Sequence, residues 1–145
     1  MIQRIQSIFL VLIAISFGIL FKLPFATSSV ASSSFLADQH YTVQDHPILL
    51  GITFFGIGVS VLTIFLYKNR QLQRKLVYLI FALAAGLVLA AYLLLKQDTT
   101  TLAVRGGIHT QLGMFIPLLA IIFGWLANHY IKKDDKLVKS MDRLR

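Results

Sequence analysis

The chain has 145 residues, 57% of them apolar and 14% charged, with a formal net charge of +8. A soluble domain carries roughly 45–50% apolar and about 25% charged residues, so a mean hydropathy of +0.74 leaves too little polar surface for a soluble enzyme. Cysteine is absent, which excludes disulfides, thiolate metal sites, iron–sulfur clusters and Cys nucleophiles.

Taken in chain order, the apolar runs read as one domain, 1–145, of four membrane-spanning helices. A bilayer core of about 30 Å needs about 20 apolar residues in helical form. The first run starts at Ile5 after Arg4, passes Phe21 and lengthens to Phe25, giving a span over 5–25. The alternative is a cleaved secretory signal ahead of ATSSVASSS; the length of the run and Lys22, Pro24 and Phe25 favour a retained helix. A Ser/Thr-rich loop with a strand-like YTV (Tyr41 to Val43) leads to the second span, 48–67. Lys68 to Lys75 then forms a short turn, which forces the second and third spans to be antiparallel neighbours. The third span covers 76–95. It is followed by a loop with a strand-like TLAV (Thr101 to Val104) and a Gly106-Gly107 turn, and the two strand-like segments are expected to pair as a ribbon. The fourth span, 112–131, contains Pro117, whose missing N–H predicts a kink.

Lys and Arg are shared unequally between the two sides: eleven flank the N-terminus, the Lys68–Lys75 turn and the tail, against Lys22, Lys96 and Arg105 on the other side. The positive-inside rule therefore places both termini in the cytoplasm. Topology and anionic headgroups account for the basic charge without nucleic acid. Tyr67, Tyr92, Trp125 and Tyr130 lie at span ends, as in an aromatic belt.

Small residues four apart permit close helix packing in lipid. They occur as Ala14 with Gly18, Gly56 with Ser60, Ala82 with Gly86 and Ala90, and Ala120 with Gly124. The third span carries the longest such stripe and is expected at the centre. The tail, 132–145, carries Leu137, Val138, Met141 and Leu144 on one side, with Lys136, Lys139, Ser140 and Arg143 away from them. Asp135 and Lys139 form an i,i+4 pair. The tail thus reads as a short amphipathic cytoplasmic helix, lying on the membrane or docking a partner. The fold class expected is an all-α membrane protein, an antiparallel four-helix transmembrane bundle with that helix appended.

The start MIQRIQS, the middle LYKNRQLQRKL and the tail WLANHYIKKDDKLVKSMDRLR resemble a bacterial family catalogued only as domain of unknown function 4293, over nearly the whole chain. The resemblance implies a four-span inner-membrane protein and no assigned activity, cofactor or catalytic residue. Its pattern falls on Gln3, Arg4, Gln6, Lys68, Asn69, Arg70, Lys132, Lys133, Asp134, Lys136, Leu137, Val138, Ser140, Asp142, Arg143 and Arg145. The family pattern favours Arg near His129 and Glu at Asp135, and both departures are mild. In this topology the patterned groups meet on one face. The candidate interaction cluster is Arg4, Lys68, Arg70, Arg74, Lys132, Lys133, Asp134, Lys136, Asp142 and Arg143, with Asp142 expected to pair with Arg4, Arg70 or Arg74.

Apart from Lys22 in the lengthened end of the first, no span contains Asp, Glu, Lys or Arg, which argues against proton- or ion-coupled transport. Hydroxyls at Ser16, Thr53, Ser60 and Thr63 are expected to bond to backbone carbonyls, and Tyr78 and Asn128 are the other polar groups. His40, His46 and His109 with Asp38 and Asp45 match no metal-ligand spacing. No haem pair, hydrolase triad or phosphate-binding loop is evident, so no cofactor is expected. The leading expectation is a non-enzymatic accessory or scaffold subunit of the inner membrane, acting on lipid headgroups or another protein through its basic face. The alternative is a small-molecule or lipid transporter, acting as a dimer, with a polar cavity at Thr53, Ser60 or Tyr78.

Overall fold

The computed structural model describes residues 2–28, 38–67, 69–101 and 108–142. Four helices carry the fold: α1 (Ile2–Ile19), α2 (Pro47–Phe65), α3 (Arg70–Thr101) and α4 (Ile116–Asp142). Each packs on two neighbours, α1 on α2 and α4, and α3 on α2 and α4. Bonds from Gln6 to Gln73 and from Gln73 to the Thr63 carbonyl place the start of α1, the end of α2 and the start of α3 together. The Arg70–Asp134 pair brings the last third of α4 to the same end. The chain therefore runs up, down, up and down around a closed square, and no helix is central; the expectation of a central third helix is corrected.

Three helical stretches are long and apolar enough to cross a membrane: Pro47–Phe65, Arg70–Gln97 and Leu112–Val138. The first apolar helix, Ile5–Ile19, is shorter, ending six residues before the expected boundary at Phe25. Pro24 is the physical reason, since it disfavours helix at the residue before it. Lys22 and Leu23 instead close a turn on the Ile19 carbonyl, at 2.9 and 3.2 Å.

α2 is started by local chemistry. Pro47 occupies the first helical position, and His46 Nδ1 accepts from the Ile48 N–H at 3.2 Å. Asn69 Oδ1 similarly accepts from the Leu72 N–H at 3.1 Å at the start of α3. Pro117 lies in the first turn of α4, where a missing N–H breaks no bond of that helix, so the proline opens α4 instead of interrupting it as expected. α4 then runs without interruption to Asp142. The tail is thus the last turns of a 27-residue helix and not a separate short one, because neither Gly nor Pro lies between Trp125 and Asp142.

At the opposite end a three-stranded antiparallel sheet, β2-β1-β3, is built from Ala26–Ser28 (β1), His40–Tyr41 (β2) and Ile108–Thr110 (β3). Its register sets Ala26 beside Tyr41 and Thr110, and Thr27 beside His40 and His109. The expected pairing of YTV with TLAV is corrected. Tyr41 is in a strand, but its partner is β1; Thr101 ends α3, and residues 102–104 lie outside the described residues. Gly113 allows the close approach that joins sheet to α4: its N–H bonds the Pro24 carbonyl at 3.1 Å, and a Cβ there would collide with that carbonyl.

The core is a stripe on each helix at three- and four-residue spacing. On α1 it is Leu10, Ile13 and Phe17, continued by Leu20 just past the helix end; on α3 it is Val77, Ile80, Ala84, Leu87 and Ala91. Phe25, Tyr41 and Val43 extend it beneath the sheet. The stripe on α2 is small and polar: Thr53, Gly56, Ser60 and Thr63 are buried. Each hydroxyl bonds the carbonyl one turn back, Thr53 to Leu49, Ser60 to Gly56 and Thr63 to Val59, at 2.6–2.8 Å. Ser16 does the same with Leu12. Gly56 admits the Phe17 ring and Gly124 admits the Phe81 ring, at 2.9 and 2.6 Å from where a Cβ would stand. These two small-residue sites work as expected. Ala82 is exposed, however, and Ala14, Gly18, Gly86 and Ala90 are only half-buried, so the small pairs of the first and third helices lie off the seam.

Candidate interaction face

The polar end of the bundle is assembled from four helix ends. Its centre is a buried amide relay. Gln6 Nε2 donates to Gln73 Oε1 at 3.0 Å, and Gln73 Nε2 donates to the Thr63 carbonyl at 3.2 Å. Gln6 is 1% and Gln73 0% exposed. The Gln6 Oε1 is buried without a hydrogen-bond partner among the described residues. Gln6 and Gln73 continue the apolar stripes of their helices, being four residues before Leu10 and Val77. Gln73 belonged to no sequence-based site, yet that register was readable. A Gln where the core pattern demands an apolar residue marks a buried amide needing partners.

Around this relay lie the charges. Arg70 Nε donates to Asp134 Oδ2 at 2.8 Å, with both side chains partly buried. Arg74 Nη2 stands 3.9 Å from Asp135 Oδ2, an ion pair without a direct hydrogen bond. Arg70 and Arg74 thus meet Asp134 and Asp135, and the expected pairing of Asp142 with Arg4, Arg70 or Arg74 rests on a side chain outside the described residues. Asp142 lies eight residues beyond Asp134 on the same helix, about 12 Å further along the axis. Arg4 and Asp142 are in helices, but their side chains lie outside the described residues, as do Lys68 and Arg143 altogether. Lys132, Lys133 and Lys136 are exposed. Of the ten candidate residues the structure thus joins Arg70 to Asp134 and gives Arg74 a different acid, and it leaves three lysines facing outward.

The expected tail stripe is only partly visible: Leu137 is exposed, Val138 half-buried, and the side chains of Lys139 and Met141 lie outside the described residues. Phe9 of α1 stacks on Tyr130 at 5.6 Å, and Tyr130 in turn meets His129 edge-on at 5.6 Å. This fixes α1 against α4 just inside the charged zone.

The candidate residues fall on helix starts and ends that one family pattern spans from end to end. Residues 2–144 match the family described as Domain of unknown function (DUF4293). The chain belongs to the DUF4293 family. No curated protein and no solved structure matches it. The family description carries no chemistry, so what this DUF4293 chain offers is its own geometry: a basic end stiffened by an amide relay and by ion pairs. At the other end, His40 and His109 flank β1 and His46 caps α2. Among the described residues no three His or Asp groups are placed to hold a metal ion.

Proposed function

We propose that this DUF4293 protein is a multi-pass bacterial inner-membrane protein with both termini cytoplasmic, and that it is a non-enzymatic accessory or scaffold subunit acting through its basic end. One contrast carries the membrane reading. Large apolar residues face outward on every helix, among them Ile8, Phe54, Leu62, Leu89 and Trp125, each between 56% and 63% exposed. Small and hydroxylated residues, Thr53, Gly56, Ser60 and Thr63, are confined to the buried stripe of α2, and a surface this apolar is unlike that of a water-soluble bundle. The 18 residues of α1 extend about 27 Å, close to a bilayer core, so α1 is the fourth span. The excess of Lys and Arg at the end holding Arg70 and Lys132 sets the orientation.

The accessory role is supported by that end. Lys132, Lys133 and Lys136 project from a helix already tied to α3 by Asp134. Transport has less support, because Thr53, Ser60 and Thr63 use their hydroxyls on their own helix and Tyr78 is 53% exposed. The test is to purify the tagged protein from native membranes in mild detergent and identify co-purifying proteins by mass spectrometry. A stoichiometric partner is expected, absent when Lys132, Lys133 and Arg143 are replaced by Glu. A partner retained by the triple variant, or none at all, refutes the role.

A further inference from the structure

A recess of about 230 Å³ opens on α3 and is lined by Gln71, Arg74, Lys75 and Tyr78. These are i, i+3, i+4 and i+7, a single helical face. α4 stands beside it: Asp135 faces Arg74 at 3.9 Å, and the Asn128 amide reaches the Tyr78 hydroxyl at a long 3.5 Å. We propose that this recess on the face of α3, beside α4, holds the phosphate of an anionic membrane phospholipid, gripped by Arg74 and Lys75, with Gln71 and Tyr78 as neutral donors. The site rests on the membrane reading above.

Its chemistry suits a phosphodiester. Arg74 meets Asp135 through one nitrogen at a distance too long for a hydrogen bond, so its guanidinium is oriented while, among the described residues, most of its five donors stay unengaged. Lys75 is exposed and has no carboxylate within ion-pair distance among the described residues. With Asp135 counted, the recess keeps a net positive charge. The Tyr78 hydroxyl accepts from Asn128 Nδ2, which leaves its own proton to donate outward. The volume is several times the roughly 30 Å³ that one water occupies.

The position of the recess argues for a lipid and against a soluble anion. Lys75 is the last charge before the uncharged run 76–95, so Gln71, Arg74 and Lys75 lie in the polar zone and Tyr78 one turn inside the apolar one. Tyr78 and Leu79 are 53% and 37% exposed, a surface along which acyl chains can descend while the phosphate meets the cations. Basic pockets between helices on the cytoplasmic side are where anionic headgroups bind.

The experiment is native mass spectrometry of the full chain in mild detergent, titrated with phosphatidylglycerol, phosphatidylcholine or inorganic phosphate. Phosphatidylglycerol adducts are expected to dominate over phosphatidylcholine. They should fall about thirtyfold in the Arg74→Gln/Lys75→Gln double variant, as expected when two basic side chains no longer face the headgroup. The Lys22→Gln/Lys96→Gln variant removes the same charge at the other end and should keep them. The swap Arg74→Lys/Lys75→Arg should also keep them, which separates a charge effect from a folding defect. Equal binding of the two lipids, or an equal fall in both Gln variants, overturns the site. Displacement of phosphatidylglycerol by equimolar inorganic phosphate overturns the lipid source. Alkaline carbonate extraction of membranes tests the underlying reading separately: release of the wild-type chain refutes membrane integration, whereas retention without lipid preference refutes the site alone.

Discussion

Replacing Gln73 by Met removes two hydrogen bonds while nearly preserving side-chain volume. Gln6 Nε2 loses its acceptor and the Thr63 carbonyl, in the last turn of α2, loses its donor. Both lie in a buried setting, Gln6 at 1% exposure and Thr63 at 0%. A buried polar group left without a partner costs about 1–3 kcal/mol, so the single variant should lose roughly 2–5 kcal/mol, the upper part only if no water enters. Gln6→Met alone leaves Gln73 Oε1 without its donor but also deletes the buried Gln6 Oε1, which has no partner among the described residues. Its net cost should be smaller, about 1 kcal/mol. The double variant removes both amides and leaves only the Thr63 carbonyl without its donor. It should therefore be more stable than Gln73→Met, with a coupling of about 1–3 kcal/mol. Reversible unfolding in mixed micelles, run as a double-mutant cycle, measures this. Simple additivity, or a neutral Gln73→Met, refutes the relay.

Gly113→Ala should be among the most damaging single-methyl changes, because the obstacle is the Pro24 carbonyl, a backbone group that joins β1 to the start of α4. Gly86→Ala, with nothing within 4 Å, should instead gain stability, about 0.5–1 kcal/mol from helix propensity; thermal melts of the two variants compare them. Asp134→Asn should weaken the coupling between α3 and α4 by about 1 kcal/mol and Asp135→Asn by less, since Arg70 meets Asp134 at 2.8 Å and Arg74 meets Asp135 at 3.9 Å. Double-mutant cycles with Arg70→Gln and Arg74→Gln read both, and equal couplings would refute the ranking.

The four helices and the polar end were legible because charge-free apolar runs and basic flanks leave few arrangements. The inward hydroxyls on α2 were legible for a local reason: Thr and Ser reach their own helix whatever the neighbours do. Between distant segments the Gly56 and Gly124 contacts were legible, but which face of each helix is buried and which strands pair were not. Ala82, Gly86 and Ala90 form a tidy small stripe, but the buried stripe on α3 is Val77, Ile80, Ala84, Leu87 and Ala91, set by which side meets α2 and α4. The sheet failed similarly. Its middle strand is ATS, whose composition signals a loop, and it is a strand because β2 and β3 close on it from both sides. Pro117 was misread by a boundary error of a few residues: with α4 starting at Ile116 the same proline opens the helix.

The continuity of α4 also changes what the basic end can do. A detached amphipathic tail would have to be ordered on binding, losing conformational entropy with each residue fixed. Here Lys132, Lys133 and Lys136 sit on a helix that enters the bundle at Ile131. Asp134 between them is held by Arg70, and Tyr130 just before them by Phe9. Their spacing is thus fixed before any encounter, so a partner or a lipid surface meets preorganised charge. Asp134→Asn frees that helix from Arg70 without changing a lysine, and it should weaken association with a protein partner even though it makes the face more basic.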